Sequence, residues 1–281
     1  MKGFRNIKMK EKKFIFIFLI IFFLILSGNN MLTPRIFAQN IDSPPQTVPR
    51  TILVELFVQE GCLNCPTAEF CLEDLAWEYG TTKVILVQEH LWGDGYDTPE
   101  TNARYNWYVG DGKKGTPDVF INGLTKRLQG LYCDCIEGNY ECYKEAIDEE
   151  LTRPSFLELS AIKTPHPNSL LQGEKEVENV LNIIIEGTVK NISNAPLKDL
   201  AVCGMVGKEG EESGLYNYIQ NIFPFQNMPT LFPGGTFSFK FVSEISLALE
   251  SEIDDEKETL HLVIFVQNTE TKEILQALYI E

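Results

Sequence analysis

Thr51-Ile-Leu-Val-Glu-Leu-Phe-Val-Gln-Glu-Gly-Cys-Leu-Asn-Cys-Pro66 decides how the rest of the chain is read. Residues 51–58 are nearly all apolar and rich in branched types, the composition of a central strand covered on both faces. The run leads into Cys62-x-x-Cys65 at the start of a helical pattern. Pro66 lacks an N–H, a loss tolerated only in a helix's first turn, so it fixes where regular helix begins. Two cysteines so placed can close a small disulfide with little movement. The first is the usual attacker, being more exposed and aimed at helix N–H groups. Cys62 is therefore read as the nucleophile and Cys65 as the resolving thiol.

Ala68, Leu72, Leu75, Ala76 and Tyr79 follow at helical spacing, and Gly80 supplies the stop. Lys83–Gln88 reads as a second buried strand, which makes a βαβ unit with a parallel pair. Residues 90–115 form an excursion in which Asp97 is placed to cap a helix running to about Tyr108. Pro117–Asn122 is the next strand, and Asn122-Gly123 predicts a hairpin to Leu124–Gln129. A helix carrying Tyr140, Tyr143, Ile147 and Leu151 ends at Pro154. Beyond Ser155 six strand-like stretches alternate with turns: 157–162, 180–189, 200–206, 236–242, 260–267 and 274–280. They predict an all-β sandwich of immunoglobulin or fibronectin type over 154–281, after an α/β domain over 51–153.

Residues 1–38 have a basic start and a continuous apolar run, Phe14–Leu26, which is shorter than the roughly 20 residues a membrane-spanning helix needs. They read as a signal peptide, with an uncleaved N-terminal anchor as the alternative. Residues 39–50, with Pro44, Pro45 and Pro49, read as a spacer. An extracytoplasmic location follows. The membrane would be met only through this N-terminal segment. The formal net charge of −16, more negative once the basic N-terminus is removed, argues against nucleic-acid binding. Export permits disulfides, and six of the seven cysteines fall between Cys62 and Cys142.

The segment 51–153 resembles the thioredoxin-like superfamily, and more narrowly a group of secreted bacterial thioredoxin-like proteins. The resemblance rests on the strand-to-Cys-x-x-Cys-helix junction, on Thr116-Pro117 opening a strand, and on Glu55 in the strand before the dithiol. It implies that Pro117 is a cis-proline lying against the dithiol and that Thr116 presents backbone to a substrate peptide. It also implies a buried acid that exchanges protons with Cys65. Glu55 meets that role if a bulge absorbs one extra residue; otherwise it is an acid at the strand's solvent end. Gly61 stands where thioredoxin has a tryptophan, and Trp92 is a replacement platform or ordinary packing.

The implied function is that of an exported thiol–disulfide oxidoreductase. It acts on protein thiols and disulfides, needs no cofactor or metal, and is recycled by an unidentified redox partner. The alternative is a binding module in which Cys62–Cys65 is a structural staple. Cys71, Cys133, Cys135 and Cys142 are read as staples of open connectivity. A zinc site on Cys62, Cys65, Cys133 and Cys135 is a more distant reading. Cys203 reads as a buried small hydrophobe. His90 is either an aid to proton transfer or a structural residue, and His166 and His261 stand apart from it. The phenylalanines between 223 and 239 are core and turn residues or a partner surface. Leu63-Asn64 carries no positive charge, so titration of thiolate absorbance should place the Cys62 midpoint at about 7; a midpoint near 8.5 would mark an unactivated pair.

Overall fold

The computed structural model describes residues 44–131, 136–165, 180–208, 217–246 and 260–280. The predicted signal segment, Cys133, Cys135 and His166 lie outside them. The described residues are mostly β, with one large mixed sheet, one small sheet and three helices. The first half contains β1 (Ile52–Val58), α1 (Cys65–Tyr79), β2 (Val84–His90) and α2 (Pro99–Val109), then β3 (Asp118–Ile121), β4 (Lys126–Gln129) and α3 (Ile136–Leu151). The second half contains β5 (Leu157–Pro165), β6 (Val180–Asn191), β7 (Leu200–Lys208), β8 (Tyr218–Ile222) and β9 (Gln226–Asn227). It ends with β10 (Thr236–Ser246), β11 (Leu260–Asn268) and β12 (Ile274–Ile280).

β1 pairs in parallel with β2 from Ile52↔Val84 to Val58↔His90 with no shift in register, and antiparallel with β3. Every residue of β1 is buried, as its continuous apolar composition requires. The Asn122-Gly123 hairpin is present, with both residues at positive φ. Gly123 is obligatory there, because a Cβ would lie 2.0 Å from the Lys272 carbonyl oxygen. Thr98, and not Asp97, caps α2: its side chain accepts from Thr101 N–H while the Thr101 hydroxyl accepts from Thr98 N–H. Asp97 accepts instead from the Asn102 side chain.

The six predicted later strands are found, together with β8 and β9, which the sequence reading missed. They make two sheets around a shared hydrophobic cluster. One is β10-β6-β5, and the other is part of the large sheet, whose order is β12-β11-β7-β8-β2-β1-β3-β4 with β9 on β7. The joint is a short parallel contact of β8 with β2, Tyr218 opposite Gln88. There Gln88 N–H donates to the Asn217 carbonyl, and the Asn217 side chain donates to the Leu86 carbonyl at 2.7 Å. A second cluster crosses between halves: Leu53, Ile85 and Val87 pack with Cys203, Met205, Ile219, Val263 and Phe265. The last residues of the predicted spacer are also anchored. Val48 bridges to Ser155, and buried Arg50 meets Glu150, Glu273 and the Ile274 carbonyl.

A buried polar cluster lies beside that junction. Arg104 of α2 donates to Glu55 and, at 2.7 Å, to the Tyr108 hydroxyl; Tyr108 donates to the second Glu55 oxygen at 2.6 Å. Gln267 of β11 accepts from Arg104 and donates to Tyr108, so both halves share the network. Glu89 lies 3.9 Å from Arg104. Burial, and then the charge of Glu55, push the Glu89 carboxyl well above the usual range. Substituting Arg104→Met strands Glu55 without its counter-ion and should cost about 3–5 kcal/mol in denaturant unfolding, with Arg104→Met/Glu55→Leu recovering much of the loss. A single-variant loss under about 1 kcal/mol would contradict the assignment.

Candidate active site

The chain leaves β1 at Val58 and makes a tight turn before α1. Cys62 N–H donates to the Gln59 carbonyl, and Gly61 takes positive φ. Cys65 is the first residue of α1, Pro66 the second, and Asn64 caps the helix without a side-chain hydrogen bond. The first-turn N–H groups therefore carry no side-chain acceptor from the cap. Cys62 and Cys65 form a disulfide with Cα atoms 5.5 Å apart. Cys62 is half-buried, whereas Cys65 is 2% exposed and sits in the cluster of Val54, Leu56 and Val58. Leu63, between them, is 95% exposed. The first cysteine of the pair is thus partly exposed, although it packs against the same cluster, and the second is covered.

The Thr116-Pro117 bond is cis. Asp118 is opposite Phe57, so Pro117 adjoins the end of β1 from which the dithiol turn springs. Pro117 is buried and Thr116 half-buried, while the Pro117 carbonyl accepts from Gly130 N–H at 2.7 Å. The sheet therefore brings Cys62, Cys65, Thr116 and Pro117 to one end.

Glu55 does not join them. Because β1 runs without a bulge, alternation sends Val54, Leu56 and Val58 to the dithiol face and Leu53, Glu55 and Phe57 to the other. Glu55 is neither beneath Cys65 nor at a solvent end. It is buried against Arg104 and Tyr108, and Leu56 holds the position expected of an acid. Trp92, at positive φ and 40% exposed, packs edge-on against Tyr105 at 5.6 Å, with its N–H bound by Asn102.

Two residues not singled out from sequence shape the site. Asp94 accepts from Glu60 N–H at 3.0 Å, ties His90 Nδ1 at 2.7 Å, and receives the N–H groups of Tyr96 and Asp97. It thereby fastens the dithiol turn to the loop after β2, and His90 is engaged as that loop's anchor. Glu69, one turn after Cys65, accepts from the Gln88 side chain at 3.0 Å. Burial, and then Glu73, raise its carboxyl to about 7. An acid four residues after the second cysteine, between apolar neighbours, was the available sequence signal.

Cys71 is buried in α1, Cys142 is half-buried in α3, and burial pushes the Cys203 thiol up to about 12, which leaves it an unreactive core residue. The zinc reading depended on Cys133 and Cys135, which lie outside the described residues. Among the described residues no group of three or more potential ligands is arranged to hold a metal, and no helix is long and apolar enough to cross a membrane. Phe223, Phe239 and Phe241 are buried in the second-half core, while Phe232 is exposed and Phe225 borders on it.

No family model matches the chain, and no curated protein does. Among solved structures, HBP35 of Porphyromonas gingivalis is similar with a TM-score of 0.58 at 17% identity, over 83% of this chain and 75% of that one. A domain of the outer membrane lipoprotein Omp28 from Porphyromonas gingivalis aligns over 45% of this chain and 88% of its own, at 11% identity and a TM-score of 0.28. Bacteroides uniformis β-glucuronidase aligns over 44% and 12%, at 17% identity and 0.30. The first likeness extends through both halves and is one of fold alone.

Proposed function

We propose that the protein is an exported thiol–disulfide oxidoreductase. The observation that carries this reading is the asymmetry of the pair: Cys62 is only half-buried beside a helix N-terminus that has no side-chain cap, and Cys65 is covered, bonded to it in a disulfide. In the reductive direction Cys62 thiolate attacks a substrate disulfide, forming a mixed disulfide and releasing one substrate thiolate. Cys65 thiolate then attacks the Cys62 sulfur, releasing the second substrate thiolate and closing the Cys62–Cys65 disulfide. The helix end favours the Cys62 thiolate. Thr116 beside cis-Pro117 would align substrate backbone, and the exposed Leu63 would meet it first. The substrates are protein thiols and disulfides outside the cytoplasm, a separate redox partner restores the dithiol, and the later strands act as an immunoglobulin-like support.

The test is insulin reduction by the chain lacking residues 1–38. Cys62→Ser should fall to the uncatalysed rate, and Cys65→Ser should accumulate a mixed disulfide with the substrate chain, visible by mass spectrometry. Equal rates for the wild-type protein and Cys62→Ser would favour the binding-module reading, in which the disulfide only braces the turn.

A further inference from the structure

Resolution by Cys65 needs a thiolate at a covered sulfur. Burial opposes that ionisation, so the step needs a group to take the proton. The strand beneath Cys65 offers none, since Val54, Leu56 and Val58 are apolar and Glu55 faces away. The partner of Leu56 across the β1–β2 ladder is Gln88, which is buried on the same face. Its side-chain amide donates to Glu69 at 3.0 Å. The Glu69 carboxyl is thereby held against the Leu56–Gln88 rung. It also lies four residues from Cys65 on α1, where Cβ atoms are about 5–6 Å apart. We infer that Glu69 is the proton acceptor for Cys65, supplying from the helix the carboxyl that β1 does not provide. The inference rests on the oxidoreductase reading.

The surroundings suit the role. The titratable group acting on Glu69 is Glu73 on the next turn; Gln88, which holds it, has Tyr218 across the ladder and His90, already tied to Asp94, two residues on. Among the described residues no cation is paired with Glu69, so its carboxylate is not locked in an ion pair. Its ionisation at about 7 lets it take a proton and return it near neutrality. Cys65 S–H passes its proton to the Glu69 carboxylate, and the thiolate attacks Cys62 Sγ of the mixed disulfide. The substrate sulfur leaves with the electron pair and is protonated by water. The dithiol is oxidised by two electrons and the substrate disulfide reduced by two.

Two measurements on the reduced chain lacking residues 1–38 test this, with 5,5′-dithiobis(2-nitrobenzoate) as the disulfide probe. Cys62 releases one coloured thiolate on attack, and Cys65 releases the second on resolution. In stopped flow the second phase should accelerate as pH rises through about 7, as Glu69 ionises. In Glu69→Gln, whose amide oxygen can still accept from Gln88, that inflection should vanish and the phase should slow by roughly tenfold or more at pH 7. Separately, carbon-13 NMR of the cysteine Cβ atoms should show Cys65 and Glu69 titrating as a coupled pair, with the Cys65 midpoint falling in Glu69→Gln as a like charge is removed. A hydrogen bond that served only to brace α1 would not give a lower thiol midpoint together with slower resolution. Thermal unfolding and a Glu69→Ala variant check that Glu69→Gln is folded. An uncoupled Cys65 titration, or equal second-phase rates, overturns the role of Glu69 and leaves the oxidoreductase reading intact. Failure of the wild-type protein to reduce insulin overturns that reading, while the coupled titration still reports whether thiol and carboxyl share a proton.

Discussion

β1 is enclosed on both faces, and its two-residue alternation decides which chemistry each face can hold. The even-numbered positions line the dithiol side with apolar groups. The odd-numbered ones put Leu53 into the core shared with the later strands and Glu55 against Arg104. A single residue inserted within β1 would send the positions beyond it to the opposite faces, which is why the uninterrupted register with β2 matters more than any individual contact.

The same constraint explains the polar cluster on the far face. An acid forced into a covered strand must be compensated. Arg104, Tyr108 and Gln267 supply hydrogen bonds and charge. Because Gln267 belongs to β11, compensation for an acid in the first half depends on a strand more than 200 residues later in the chain. On the dithiol side β1 offers only apolar groups, and Gln88 of β2 holds Glu69 of α1.

Features set by local chemistry were legible in the sequence. The Cys62–Cys65 turn and the Asn122-Gly123 hairpin depend on residues close together in the chain, whereas the cis bond at Thr116-Pro117 was expected only from the resemblance; all three are found. What depended on partners far away was not. Tyr218–Ile222 gives little strand signal by itself and becomes β8 because β7 and β2 flank it. Glu69 looks like any helix acid until Gln88, on the following strand, is seen to hold it. Glu55 was misread because the spacing to Cys62 was allowed a bulge that the ladder does not contain.

The short β8–β2 contact carries one more consequence. It covers part of the backbone edge that β2 would otherwise present, and it does so with a strand from the other half of the chain. A fragment cut after α3 would bare that edge beside a buried, largely apolar strand, an invitation to intermolecular pairing. The first half is therefore not a cassette that can be lifted out intact; cut free, it would need another way to cover β2.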